Sequence, residues 1–206
     1  MISAVLLAAG ESKRMGTLKQ LIELDGEPMA LRSLRTLLAA PIDEIIIVLG
    51  NSHTVVSEKL FLNISTAEMT PHGCVAVRSV VNRQSHEGMG SSIKTGIHAL
   101  SPSSEAAVIA LADQPFIRSC TVTELIRAFT ASGKGIALPR YGGRRGHPVI
   151  FNAKYYQSLC ALSPDRGANT ILRDNSYDIL ILDVDDEGIL IDIDTPEDLA
   201  RHIKSC

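Results

Sequence analysis

Three apolar runs constrain what this chain can fold into. Ala4–Ala9, Glu44–Leu49 (apolar beyond its first residue) and Ala106–Ala112 are of strand length, and Gly10, Gly50 and Asp113 close them. A strand with one face in water alternates polar and apolar residues, whereas a strand buried on both faces does not. Between these runs lie stretches with helical spacing. Leu31, Leu34, Leu37 and Leu38 mark a helix from Pro28 to about Ala40, and 53–62, 119–131 and 152–160 read as further helices. Short helices are expected from Ala168 and near Pro196. The pattern predicts an α/β fold of three layers, doubly wound and Rossmann-like, with a mainly parallel mixed sheet. Val75–Val81, Ile136–Pro139 and Pro148–Phe151 supply further strands, and 63–74 reads as loop. Asp178–Val184 and Ile189–Ile193 suggest a hairpin about the turn 185–188, which gives the sheet an antiparallel portion late in the chain. No repeat or linker interrupts the 206 residues, so one domain spanning 1–206 is expected.

Composition narrows the function. With 45% apolar and 21% charged residues the chain reads as soluble and globular, and a net charge of −3 gives no reason to expect nucleic acid or an anionic membrane as partner. The start has no basic residue before its apolar stretch and does not read as a signal peptide, and no apolar run approaches the roughly 18 to 20 residues that span a bilayer. Cys74, Cys120, Cys160 and Cys206 form no CxxC pair, so neither a zinc site nor a disulfide framework is indicated. The expected compartment is the cytoplasm.

Charge is unevenly placed. The first apolar strand empties into LAAGESKRMGTLK, where Gly10 and Gly16 allow the backbone to turn with exposed N–H groups and Lys13, Arg14 and Lys19 outnumber Glu11. A polyphosphate suits such a loop, although neither GxxxxGK[ST] nor GxGxxG is present and a solvated turn would look alike. Ligands of open α/β sheets sit beyond the carboxyl ends of the strands. Asp113 and Asp194 each follow a predicted strand, so they can converge with the loop on one crevice and hold a cation there. The alternatives are local: Asp113 could satisfy backbone donors, and Asp194 or Thr195 could cap the helix at Pro196, with Asp192 as a competing ligand. In NRQSHEGMGSSI, Gly88 and Gly90 give backbone freedom, and Ser91 and Ser92 are expected to cap a helix whose apolar face is Ile93, Ile97 and Leu100.

LAAGESKRMGTLK resembles the signature of the molybdenum cofactor cytidylyltransferase family, and similar stretches recur between Leu6 and Leu199. The resemblance implies a nucleotidyltransferase fold and a role for each matching residue. Leu7, Ala8, Ala9, Gly10, Arg14, Gly16 and Lys19 would bind the nucleotide, together with Asn82, Gly88, Met89, Gly90 and Ser91. Arg14 and Lys19 would stabilise the departing pyrophosphate beside Asp113, and Asp113 and Asp194 would hold Mg²⁺. Arg145, Gly146, His147 and Pro148 of RGHP, with Gly167, would face the acceptor. His147 needs no proton-transfer role, because a phosphate monoester is already ionised near neutral pH. One departure concerns that acceptor: PDRGAN stands where the family shows GDxGAR, so Asn169 replaces an arginine, with Arg166 or Arg173 as substitute.

The implied reaction is transfer of CMP from CTP to the phosphate of molybdopterin cofactor. Its rivals are GTP as donor, another phosphate acceptor, or a carrier without turnover that delivers cofactor to a molybdoenzyme of the xanthine dehydrogenase type.

Overall fold

A computed structural model describes residues 1–10, 18–61, 64–165 and 167–202. The expectations for Lys13, Arg14, Gly16 and Arg166 lie outside these residues. In chain order the elements are β1 (Ile2–Ala8), β2 (Glu23–Leu24), β3 (Glu27–Pro28), α1 (Met29–Leu38), β4 (Glu44–Leu49), α2 (His53–Phe61), β5 (Ala67–Thr70), β6 (Gly73–Val81) and α3 (Met89–His98). They continue with β7 (Ala106–Leu111), α4 (Ser119–Ser132), β8 (Ile136–Tyr141), β9 (Arg144–Arg145), β10 (Val149–Asn152), α5 (Tyr156–Cys160), α6 (Asn169–Asp174), β11 (Ile179–Asp183) and α7 (Pro196–His202).

Nine strands form the main sheet in the order β11-β8-β10-β7-β1-β4-β6-β5, with β9 attached to β8. The centre, β7-β1-β4-β6, is parallel. Inserted β10 runs antiparallel to both β7 and β8, so the antiparallel portion of the sheet comes from 149–152 and not from the hairpin expected after Asp178. The apolar runs are central because both faces are covered. Leu6 and Ile47 pack against Leu34, Leu60 and Leu125 of α1, α2 and α4. On the other face, Val5 and Ile46 pack against Ile93, Leu159 and Ile171 of α3, α5 and α6. Each such fully buried side chain contributes roughly 1.5 to 3 kcal/mol.

Three expectations are corrected. Residues 67–70 form a strand within the stretch read as loop; its positions are half-buried or exposed, and the half-buried ones are the polar Glu68 and Thr70, so this edge strand has no buried apolar face to announce it. The hairpin after Asp178 does not form. β11 instead pairs parallel with β8 at the sheet edge, and 187–190 wind into a short 3₁₀ turn. Buried Asp186 explains the departure: it accepts hydrogen bonds from the Arg118 backbone, the Thr121 hydroxyl and the Gly188 backbone, fastening this turn to the start of α4. Gly88, rather than Ser91 or Ser92, occupies the N-cap of α3.

Gly142 and Gly143, with φ of 55° and 80°, make the two-residue turn between β8 and β9, a backbone that side chains larger than glycine rarely adopt.

Candidate active site

β1, β4, β6 and β7 are parallel, so their carboxyl ends open on one edge of the sheet. There Leu7, Ala8, Ala9 and Gly10 line a cavity of about 340 Å³ with Lys19, Ser85, Gly88, Met89, Asp113 and Asp194. The end of β1 is held by a residue the sequence did not single out: Gln20 donates to the carbonyls of Ala8 and Gly10, at 3.0 and 2.7 Å.

Lys19 joins the two aspartates. Its Nζ lies 2.5 Å from Asp113 Oδ2 and 2.8 Å from Asp194 Oδ1, with all three side chains partly buried. Burial works against the ammonium charge, but Asp113 and then Asp194 outweigh it, and the pKa of Lys19 is raised. Of the acids near the chain's end, Asp194 therefore converges with Asp113. Asp192 turns elsewhere and accepts from Gln114 Nε2 at 2.7 Å. Burial raises the pKa of Asp192, against that hydrogen bond. Capping at α7 falls to Thr195 and Asp198, which exchange side-chain to backbone hydrogen bonds, so Asp194 is left for the cavity.

Two carboxylates that meet on one ammonium suit a hard divalent cation, which takes oxygen ligands and completes its shell with phosphate and water. Among the described residues no cluster of three or more His, Cys, Asp or Glu could hold a metal by itself. A cation here would need oxygens from a ligand, the arrangement expected of a metal that enters with a nucleotide.

Not every predicted nucleotide residue reaches the cavity. Asn82, only 3% exposed, stands behind its wall, donating to Ser91 and Ser92 at 2.8 and 3.0 Å and accepting from the Gln84 backbone. Ser91 donates to the carbonyls of Gly88 and Gln84, and Gly90 N–H donates to Pro164. Asn82, Gly90 and Ser91 thus shape the start of α3 from within. Gly88 is required where it stands, because its φ is +125° and a Cβ would lie 2.6 Å from the Pro164 carbonyl.

A second cavity, about 600 Å³, holds the predicted acceptor residues. Arg145, Gly146, His147 and Gly167 line it beside Leu138, Val149 and Leu172, while Pro148 leads directly into β10. Arg173, one helical turn beyond Asn169 on α6, lines it as well, so a cation does stand near the position where the family motif changes. Met89, 45% exposed, lines both cavities. Burial lowers the pKa of His147, against the fields of Asp192 and Asp113, so its ring is neutral near neutral pH.

The pattern of the MobA-like NTP transferase domain matches residues 4–179. The chain belongs to the MobA-like NTP transferase family. It is a nucleotidyltransferase. The chain is 31% identical to nicotine blue oxidoreductase of Paenarthrobacter nicotinovorans, over 97% of this chain and 95% of that protein. It is 29% identical to the purine catabolism protein PucB of Bacillus subtilis (strain 168), over 98% and 96%. Among solved structures, Rv0371c of Mycobacterium tuberculosis H37Rv superposes with a TM-score of 0.83 at 26% identity, covering 99% of this chain and 98% of that one. A manganese complex of Rv0371c superposes at 0.78 with 25% identity, over 100% and 99%. Among the described residues of this MobA-like protein no helix is long and apolar enough to cross a membrane.

Proposed function

We propose that the protein transfers CMP from CTP to the phosphate of molybdopterin cofactor, in a Mg²⁺-dependent reaction that releases pyrophosphate. The observation that carries the reading is the shared wall: Met89 separates a cavity with converging Lys19, Asp113 and Asp194 from one with Arg145 and Arg173. A donor triphosphate in the first and an anionic acceptor in the second would meet across that residue. The acceptor phosphate attacks the α-phosphorus, the bond to the β-phosphate oxygen breaks, and pyrophosphate leaves.

Asp113 and Asp194 would hold the cation, which when bound neutralises charge on the departing pyrophosphate; the manganese complex of Rv0371c supports a divalent metal in this fold. Lys19 brings a point charge to the same end, and Arg145 and Arg173 orient the acceptor phosphate. Positioning and charge neutralisation supply the catalysis, with no covalent enzyme intermediate. Neutral His147 helps form the acceptor wall and moves no proton. The name of the Bacillus relative places that protein in purine catabolism, which fits a recipient molybdoenzyme of the xanthine dehydrogenase type.

Labelled CTP and GTP, each incubated with purified molybdopterin cofactor, Mg²⁺ and this protein, test the reading. The expected result is a cytidylylated cofactor and pyrophosphate, both dependent on acceptor and cation. Pyrophosphate from GTP alone would overturn the base, and no pyrophosphate from either would overturn the reaction. The oxidoreductase activity named for the Paenarthrobacter relative is separated by the same assay, since electron transfer releases no pyrophosphate.

A further inference from the structure

We propose that the Ser85 hydroxyl reads the base edge of the bound nucleotide, an inference that rests on the first cavity being the nucleotide site. The segment from Asn82 to Ser92 is densely satisfied. Asn82 spends its amide on Ser91, Ser92 and Gln84, Ser91 spends its hydroxyl on Gln84 and Gly88, and the Ser85 and Gly88 N–H groups donate to Asn82 and Ser85 carbonyls. Ser85 Oγ is the contrast: it is buried, it belongs to a residue lining the cavity, and it has no hydrogen-bond partner among the described residues. A buried hydroxyl left unmatched destabilises the protein that carries it, so a group that completes it on binding gains affinity.

Strand order says which part of a nucleotide that group is. Asp113 follows β7, whereas the segment bearing Ser85 follows β6, on the far side of β1 and β4. Ser85 Oγ leans over the end of β4, 3.1 Å from where a Cβ on Gly50 would stand. At about 4.8 Å per strand, two spacings separate β7 from β4, or about 10 Å. With phosphates drawn to Lys19, Asp113 and Asp194, a base lies at that distance along the extended nucleotide, and it reaches Ser85 past Ala9. The hydroxyl both donates and accepts, so it can pair with an exocyclic or ring heteroatom.

Calorimetry on wild type and Ser85→Ala, titrated with CTP, 2′-deoxy-CTP and pyrophosphate in Mg²⁺, decides it. Ser85→Ala should weaken CTP and 2′-deoxy-CTP by about tenfold each and leave pyrophosphate unchanged, because pyrophosphate occupies only the charged end. The free variant should also melt higher than wild type, since it no longer buries an unmatched hydroxyl. Equal CTP affinity in both proteins would overturn the contact, and an equal loss for CTP and pyrophosphate would make Ser85 structural. A loss with CTP that is absent with 2′-deoxy-CTP would move the contact to the ribose and overturn the base assignment. If wild type binds pyrophosphate but no nucleotide, the nucleotide reading of the cavity fails and takes this inference with it.

Discussion

The two cavities that meet at Met89 are built from different parts of the sheet. The first sits on the ends of parallel strands buried on both faces, and its charges are already locked together by the short contacts of Lys19 with Asp113 and Asp194. The second is nearly twice as large, lies by the antiparallel strands, and is walled by β8, a turn, a loop and α6, with no acid among the described residues that line it. Strand ends keep a constellation rigid, whereas loops and short helices can change residue by residue. Under the proposed function, the transfer chemistry would be fixed by the first cavity and the choice of acceptor by the second.

The largest effect that would sharpen this contrast is at Asp113. Asp113→Asn removes a charge from the carboxylate pair at nearly constant volume, so the rate should fall on the order of a thousandfold while the melting temperature stays close to wild type. Asp194→Asn should be milder, and Asp192→Asn milder still because Asp192 pairs with Gln114 rather than Lys19. Steady-state rates across Mg²⁺ concentrations check the order. A worse defect in Asp192→Asn would mean that the acid facing the cation had been misassigned.

Lys19→Ala should come next, with a loss of about a hundredfold in kcat/KM for the nucleotide. It leaves Asp113 and Asp194 without the ammonium that competes for their charge, so the variant should need less Mg²⁺ than wild type. Titrating the cation at fixed CTP measures this directly. An unchanged cation requirement would separate Lys19 from the carboxylate pair in function.

How far the sequence reached follows the same division. The central strands were legible because burial on both faces writes itself as an unbroken apolar run, and Lys19 and Asp113 could be expected at one end of the sheet because each lies beyond such a run. Asp194 could be placed among the acids near the end of the chain, but not separated from Asp192; that depends on Lys19 and Gln114 reaching across from distant segments. Asn82 looked like a nucleotide ligand because it sits in a motif, yet its amide is consumed by Ser91 and Ser92. Gln20 and Ser85 carried no pattern, and Arg173 was offered by the altered motif only alongside Arg166. Their place follows from packing: Gln20 at the end of β1, Ser85 over the end of β4, and Arg173 one turn beyond Asn169. The false hairpin at 185–188 failed for a related reason, since buried Asp186 binds the start of α4 and nothing local announces that partner.

Arg145→Ala and Arg173→Ala test the second cavity alone. Each should raise the KM for acceptor by about tenfold while CTP binding stays at the wild-type value, the loss expected for one charge-assisted hydrogen bond at an exposed site. A fall in CTP affinity in either would join the two cavities into one site. Ala9→Gly should act on the first cavity only. Ala9 lines it at 7% exposure while packing against the apolar layer under α3, and removal of a methyl at such a position shifts a preference by about tenfold. CTP and GTP competed in one assay should show a CTP preference that shrinks in the variant; a ratio that does not move would place base selection elsewhere.

The smallest effect on activity is expected at Asp178, which fastens the sheet edge near the second cavity. Its carboxylate accepts from Tyr155 Oη at 2.6 Å and from Gly135 N–H at 3.0 Å, and it pairs with Lys154 at 2.7 Å. Lys154 first, then Tyr155, hold its pKa down to about 2 from an ordinary 3.8. A carboxylate with a depressed folded-state pKa contributes stability that is complete above its unfolded value and disappears as pH falls through the folded one. Asp178→Asn keeps the shape of the latch and loses the charge. It should therefore melt a few degrees lower than wild type near neutral pH, with the gap closing between about pH 4 and pH 2. Melting curves of both proteins across that range give the gap directly, and CTP binding should be the same in both, because the latch touches no residue of the first cavity. A gap that stays constant down to pH 2 would mean that the latch works through shape rather than charge. A change in CTP affinity would show that the antiparallel edge is coupled to the parallel centre, and the division between a rigid transfer site and a variable acceptor site would no longer hold.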